Sequence, residues 1–116
     1  MRDSNNGLQI TGASIQGGQM VRVAGEVDLH SSPDLRAELL KTLAGKPRKL
    51  VVDLAGVSYM DSSGVGTLVE IKRLLEQKGG SVVLAALQPR VRGVFEITQL
   101  DKFFTIVGSA DEAAQK

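Results

Sequence analysis

The sequence predicts an α/β domain: one mainly parallel mixed sheet with an N-terminal β-hairpin and about four helices. Three observations predict it. Two short, β-branched apolar runs, 49–54 (KLVVDL) and 81–85 (SVVLA), read as strands covered on both faces. Segments with apolar residues at helical spacing lie between and after them, opened by capping residues or proline. The opening residues alternate in polarity on either side of a glycine turn. With 116 residues, 42% of them hydrophobic, the chain fits one domain over 1–116 that buries a core without disulfides or a metal, and 1–6 and 113–116 are expected to be flexible.

Leu8 and Ile10 begin the first alternating stretch, 16–19 (QGGQ) reads as a turn, and 20–24 (MVRVA) alternates again, giving the hairpin. A short connection, 25–30 (GEVDLH), leads to Ser31-Ser32-Pro33-Asp34, where a capping serine, a proline in the first turn and an early acid start a helix. Leu35, Leu39, Leu40 and Leu43 recur at helical spacing until Gly45 and Pro47 stop it. Residues 49–54 form a central parallel strand, followed by a loop over 55–60. Asp61-Ser62-Ser63-Gly64 supply capping residues for the strongest helix, whose stripe of Val65, Leu68, Val69, Ile71, Leu74 and Leu75 ends at Gly79-Gly80. Residues 81–85 are another buried strand, and Pro89 opens a third helix with Val91, Val94, Phe95 and Ile97 turned inward. A last strand over 103–107 precedes Ser109-Ala110-Asp111-Glu112, the capping box of a short, frayed helix. Right-handed crossovers then make the sheet mainly parallel, with the first strand antiparallel at an edge.

Composition excludes several classes of function. The chain has no cysteine and one histidine, His30, so neither a thiolate site nor an imidazole cluster can form, and no metal or cofactor is expected. The 14 basic and 13 acidic side chains are scattered and aromatics make up 3%, which argues against nucleic acid and for a protein partner. The polar start and the shortness of the longest apolar run, 82–87, lead us to expect a cytoplasmic protein with no membrane insertion. An enzyme would need a base for Ser62. His30 alone is offered, in a loop without an orienting partner, and 61–66 (DSSGVG) is not a G-x-S-x-G elbow, so no catalytic residue is assigned. The stripe of Val65, Leu68, Val69 and Leu75 reads as core, and Lys72, Arg73, Arg90 and Arg92 as solvated helix faces.

Binding sites in open α/β sheets gather beyond the carboxyl ends of the parallel strands, where the segments 25–32 and 55–64 bring Asp28, Ser31, Asp61 and Ser62 to one end. Taken alone, Asp61-Ser62-Ser63 is a helix cap. A serine there also lies beside unpaired N–H groups and the positive end of the helix dipole, which tolerate a phosphate. That phosphate would add about 1.5 to 2 negative charges near Asp61 and Asp28, and a partner shaped for a neutral hydroxyl would reject it.

The tract 50–66 (LVVDLAGVSYMDSSGVG) resembles the signature of the STAS family, in its anti-sigma-factor antagonist branch. Gly25-Glu26-Val27-Asp28 is similar to that family's other characteristic loop, and the resemblance extends over nearly the whole chain. It implies the STAS fold and a non-enzymatic switch. In that family the unphosphorylated protein binds an anti-sigma factor that is also a serine kinase and so frees the sigma factor, and the resemblance implies the same here. Phosphorylation then ends the binding, and a metal-dependent phosphatase reverses it. The resemblance puts the phosphoacceptor at Ser62 rather than Ser63, gives Asp28 a contact with the partner, sets Asp61 beside the acceptor, and makes Gly64 the point of close backbone approach. Asp28, Asp61, Ser62, Ser63 and Gly64 are thus the expected partner-binding residues. The rival within the family is a constitutive subunit, such as the accessory protein of a lipid-transport ATPase, or a partner switch without a sigma factor.

Overall fold

Alternating strand and helix signals fold into the order β1 (Gln9–Ile15), β2 (Gly18–Val27), α1 (Ser32–Leu43), β3 (Lys49–Met60), α2 (Ser62–Gln77), β4 (Ser81–Ala85), α3 (Pro89–Ile97), β5 (Thr105–Val107) and α4 (Ala110–Gln115). This is a computed structural model, and it describes residues 7–115. The segment 1–6, expected to be flexible, lies outside the described residues, as does Lys116. The five strands stand side by side in the order β1-β2-β3-β4-β5. β1 pairs antiparallel with β2 at one edge, and the other three pairings are parallel.

Side chains alternate across the sheet, so each central strand feeds two cores. Val21, Val23, Leu50, Val52, Leu54, Val82 and Leu84 join Leu35, Leu39 and Leu43 of α1, Leu68, Ile71 and Leu75 of α2, and Val91 and Phe95 of α3 in the larger core. Met20, Val51, Val83, Ala85 and Val107 meet Ala113 of α4 in the smaller one on the opposite face. The continuous apolar runs of β3 and β4 follow from this double burial.

Helix α4 is tied at both ends. Ser109 Oγ accepts a hydrogen bond from the Glu112 N–H (3.0 Å), and Glu112 Oε1 accepts one from the Gly108 N–H (3.2 Å). At its other end Lys49 Nζ donates to the carbonyls of Ala113 (2.8 Å) and Ala114 (3.2 Å), a cation on the negative end of the helix. Residues 113–115, expected to be flexible, belong to this helix, and Ala113 is buried.

Three expectations from the sequence need correction. Residues 55–60 are not a loop: β3 continues to Met60 because β2 also continues, to Val27, and pairs Ala24 with Gly56, Gly25 with Val57, Glu26 with Tyr59 and Val27 with Met60. Two register shifts in this stretch interrupt the alternation by which a strand is recognised. Ile97 is not inward but 85% exposed, because at about 100° per residue it stands roughly 120° around the helix from Val91 and about 160° from Phe95. Finally, β5 begins at Thr105, and Phe103 and Phe104 precede it. Phe104 packs edge-to-face on Phe95 (centroids 5.5 Å apart), and Phe103 does so on Phe104 (5.2 Å).

Candidate functional site

β2 and β3 finish together. Val27 pairs with Met60, and the Asp61 N–H donates to the Val27 carbonyl (3.0 Å), so the turn after β2 and the start of α2 occupy one end of the sheet. Asp28, Ser31, Asp61 and Ser62, which the sequence reading placed together, all lie there.

The turn is built around two side chains. Asp28 Oδ1 accepts from the N–H groups of His30 (2.9 Å) and Ser31 (3.0 Å) and from Ser31 Oγ (3.2 Å). The Ser31 N–H holds this carboxyl below the usual aspartate range, helped by the His30 N–H and the Ser31 hydroxyl against partial loss of water. Ser31 is buried, and its hydroxyl shares its one proton between the Glu26 carbonyl (2.8 Å) and, at the longer distance, Asp28 Oδ1, while accepting from the Asp28 N–H (2.9 Å). Ser31 therefore stands at the N-cap position of α1 without a capping side-chain bond, contrary to the sequence expectation, because its hydroxyl is committed to the end of β2. His30 is exposed, and its backbone N–H enters the network.

At the start of α2 the N-cap is Asp61, in extended conformation. Its Oδ1 accepts from the N–H (2.9 Å) and the hydroxyl (2.5 Å) of Ser63. Ser62, the first residue of the helix, is exposed, and its hydroxyl forms no hydrogen bond among the described residues. Beneath it Gly64 is buried where a Cβ would stand 2.7 Å from both Met60 Cγ and Val27 Cγ1. Only glycine lets α2 sit so close on the ends of the two strands. The helices behind the site are clamped by Arg36 and Glu70, whose two parallel bonds of 2.7 Å raise the basicity of Arg36 and lower the pKa of Glu70.

Two residues at this end escaped the sequence reading. Leu29, in the Asp28 turn, is 73% exposed, and Tyr59, near the end of β3, is 39% exposed. Tyr59 was hidden by reading 55–60 as a loop, whereas an apolar residue in the polar run Asp28-Leu29-His30-Ser31 was a usable signal. Three of the four basic side chains read as solvated helix faces make contacts: Lys72 pairs with Glu76 and lies 4.4 Å from the centre of the Phe103 ring, Arg73 lies 5.8 Å from the same ring centre, and Arg92 pairs with Glu96 at 3.5 Å. Among the described residues no group of three or more metal-ligating side chains occurs, and no helix is long and apolar enough to cross a membrane.

A family profile for the STAS domain matches residues 12–113. The chain belongs to the STAS family. Within it, this STAS domain is 37% identical to the anti-sigma-B factor antagonist of Bacillus subtilis over 82% of its own length and 86% of that protein's. Its fold matches that of an anti-sigma factor antagonist from Mycobacterium paratuberculosis with a TM-score of 0.87 and 26% identity, covering 98% of this chain and 97% of that one. It also matches the Bacillus cell fate determinant SpoIIAA in its phosphorylated form, with a TM-score of 0.71, 27% identity, and coverage of 93% and 96%. These likenesses put the domain in the anti-sigma-factor antagonist branch, whose members are regulatory, non-catalytic modules that act by partner switching.

Proposed function

We propose that this STAS domain binds an anti-sigma factor in its unphosphorylated state and is released when that partner, acting as a serine kinase, phosphorylates Ser62. While the unphosphorylated domain holds the anti-sigma factor the sigma factor is free, and after phosphorylation a metal-dependent phosphatase restores the binding form. The cycle runs in the cytoplasm. The observation that carries this reading is the state of Ser62: exposed, first in α2, and with a hydroxyl engaged by no other group among the described residues.

Phosphoryl transfer moves the terminal phosphoryl group of a nucleoside triphosphate to Ser62 Oγ. The new bond joins Oγ to phosphorus, the bond to the leaving nucleoside diphosphate breaks, and the hydroxyl proton passes to a base of the kinase. The domain tolerates the product, since a helix N-terminus favours an anion by about 0.3–1 kcal/mol. The interface does not, because a misplaced charge there costs several kcal/mol. Asp28, Asp61, Ser62 and Ser63 form the partner-facing set, and Gly64 seats the helix that carries them.

The test is to incubate the protein with ATP and the anti-sigma factors of its own organism, map phosphate by tandem mass spectrometry, and follow complex formation. Phosphate on Ser62 with loss of binding is expected. Stable binding with no phosphate would show a constitutive subunit instead.

A further inference from the structure

Among the described residues three large apolar side chains are exposed: Leu29 (73%), Tyr59 (39%) and Ile97 (85%). Single exposed apolar residues carry no message, but two of these three stand at the end of the sheet that carries Ser62. Tyr59 pairs with Glu26 one step before the Val27–Met60 pair, and Leu29 follows Val27 by two residues. The hydrogen bond from Asp61 to Val27 joins the two segments directly ahead of Ser62.

Leu29 is also held where it is. The Asp28 carboxylate accepts from His30 and Ser31, and the Asp28 carbonyl accepts from the N–H groups of Ser31 (3.2 Å) and Ser32 (2.8 Å). Residues on both sides of Leu29 are therefore pinned, which fixes the backbone that carries its exposed side chain. An apolar group fixed in advance loses little freedom when a partner covers it, which is the character of an interface anchor.

We infer that Leu29 and Tyr59 are the apolar anchors of the contact with the anti-sigma factor. This inference rests on the function proposed above and gives the switch a different physical basis. A phosphate on Ser62 would carry about 1.5 to 2 negative charges into a contact that must shed its water to close. Its exclusion is then mainly a matter of lost hydration, not of repulsion by Asp28 and Asp61. Repulsion between exposed charges fades in salt, whereas the loss of hydration persists.

The experiment measures affinity for the purified anti-sigma factors of the same genome, with circular dichroism confirming the fold of each variant. Leu29→Ser and Tyr59→Ala are each expected to weaken binding about tenfold or more, as anchors do. Leu29→Met should stay close to the parent, and Ile97→Ser, on α3, should be unchanged. The Ser62-phosphorylated protein should still fail to bind at about 1 M salt, where the screening length is about 3 Å. Parent-like binding by both Leu29→Ser and Tyr59→Ala overturns the inference alone, as does recovery of binding by the phosphoprotein in high salt. A parent chain that binds none of the anti-sigma factors overturns the proposed function and this inference with it.

Discussion

The carboxylate of Asp61 grips Ser63 twice, through its N–H at 2.9 Å and its hydroxyl at 2.5 Å, while the hydroxyl of Ser62 between them has no hydrogen bond among the described residues. Two adjacent serines thus have different work: one completes the cap, the other is presented to solvent. Asp61→Ala should destabilise the domain by about 0.5–2 kcal/mol, the usual loss for a cap, whereas Asp61→Asn, which keeps an acceptor oxygen, should lose much less. Urea unfolding of the two variants beside the parent measures the difference.

Because the Ser62 hydroxyl makes no hydrogen bond among the described residues, its replacement should be felt by partners and not by the fold. Ser62→Asp is expected to retain the circular dichroism spectrum and lose about 1 kcal/mol of stability or less. A collapse of the fold would refute an interface role. Ser62→Ala should bind the anti-sigma factor and gain no phosphate, and a phosphate stoichiometry on it equal to the parent's would remove Ser62 as acceptor.

Gly64→Ala introduces a methyl group 2.7 Å from Met60 Cγ and Val27 Cγ1. Both neighbours are core side chains, so α2 must lift from the strand ends, with an expected loss of about 1–3 kcal/mol. Gly66→Ala, in the same helix with open space around its Cβ, is the control and should be neutral or slightly stabilising. Equal melting temperatures for the two variants would contradict the close seating described for Gly64.

Asp28 and Glu70 both have folded pKa values below their ordinary ones, Asp28 chiefly through the Ser31 N–H and Glu70 chiefly through its hydrogen bonds to Arg36. In the window beneath the ordinary carboxylate range of about 4, the unfolded chain therefore binds more protons than the folded one. The stability these groups supply is present above that range and is lost as pH falls through their lowered values. Unfolding free energy measured from pH 6 down to about pH 3 should decline. In the Asp28→Asn and Glu70→Gln variants part of that decline should disappear. A slope identical to the parent's in both would show that neither group is linked to folding.

Much of the fold was legible because burial leaves a period in the sequence. Leu35, Leu39 and Leu43, and Leu68, Ile71 and Leu75, occupy one face of their helices and lie in the core, as their spacing predicts. The segment 55–60 was illegible for an equally physical reason: register shifts on either side of Ala24 and Gly25 break the period of two, so a strand reads as a loop. Ile97 misled because apolar character was counted without its angle around the helix. At the site, the convergence of Asp28, Ser31, Asp61 and Ser62 followed from chain topology. The division of labour between Ser62 and Ser63, and the internal use of Ser31, depend on side-chain rotation, which no spacing rule encodes.

The grip of Lys49 on the last carbonyls of α4 anchors that helix beside the first residue of β3, whereas Ser62 follows the last, with the whole 12-residue strand between them. A fluorophore, affinity handle or surface tether attached after Gln115 would accordingly hang from the pole opposite the one that carries Ser62. Immobilised that way, the domain would offer its Ser62 end to solution in a uniform orientation.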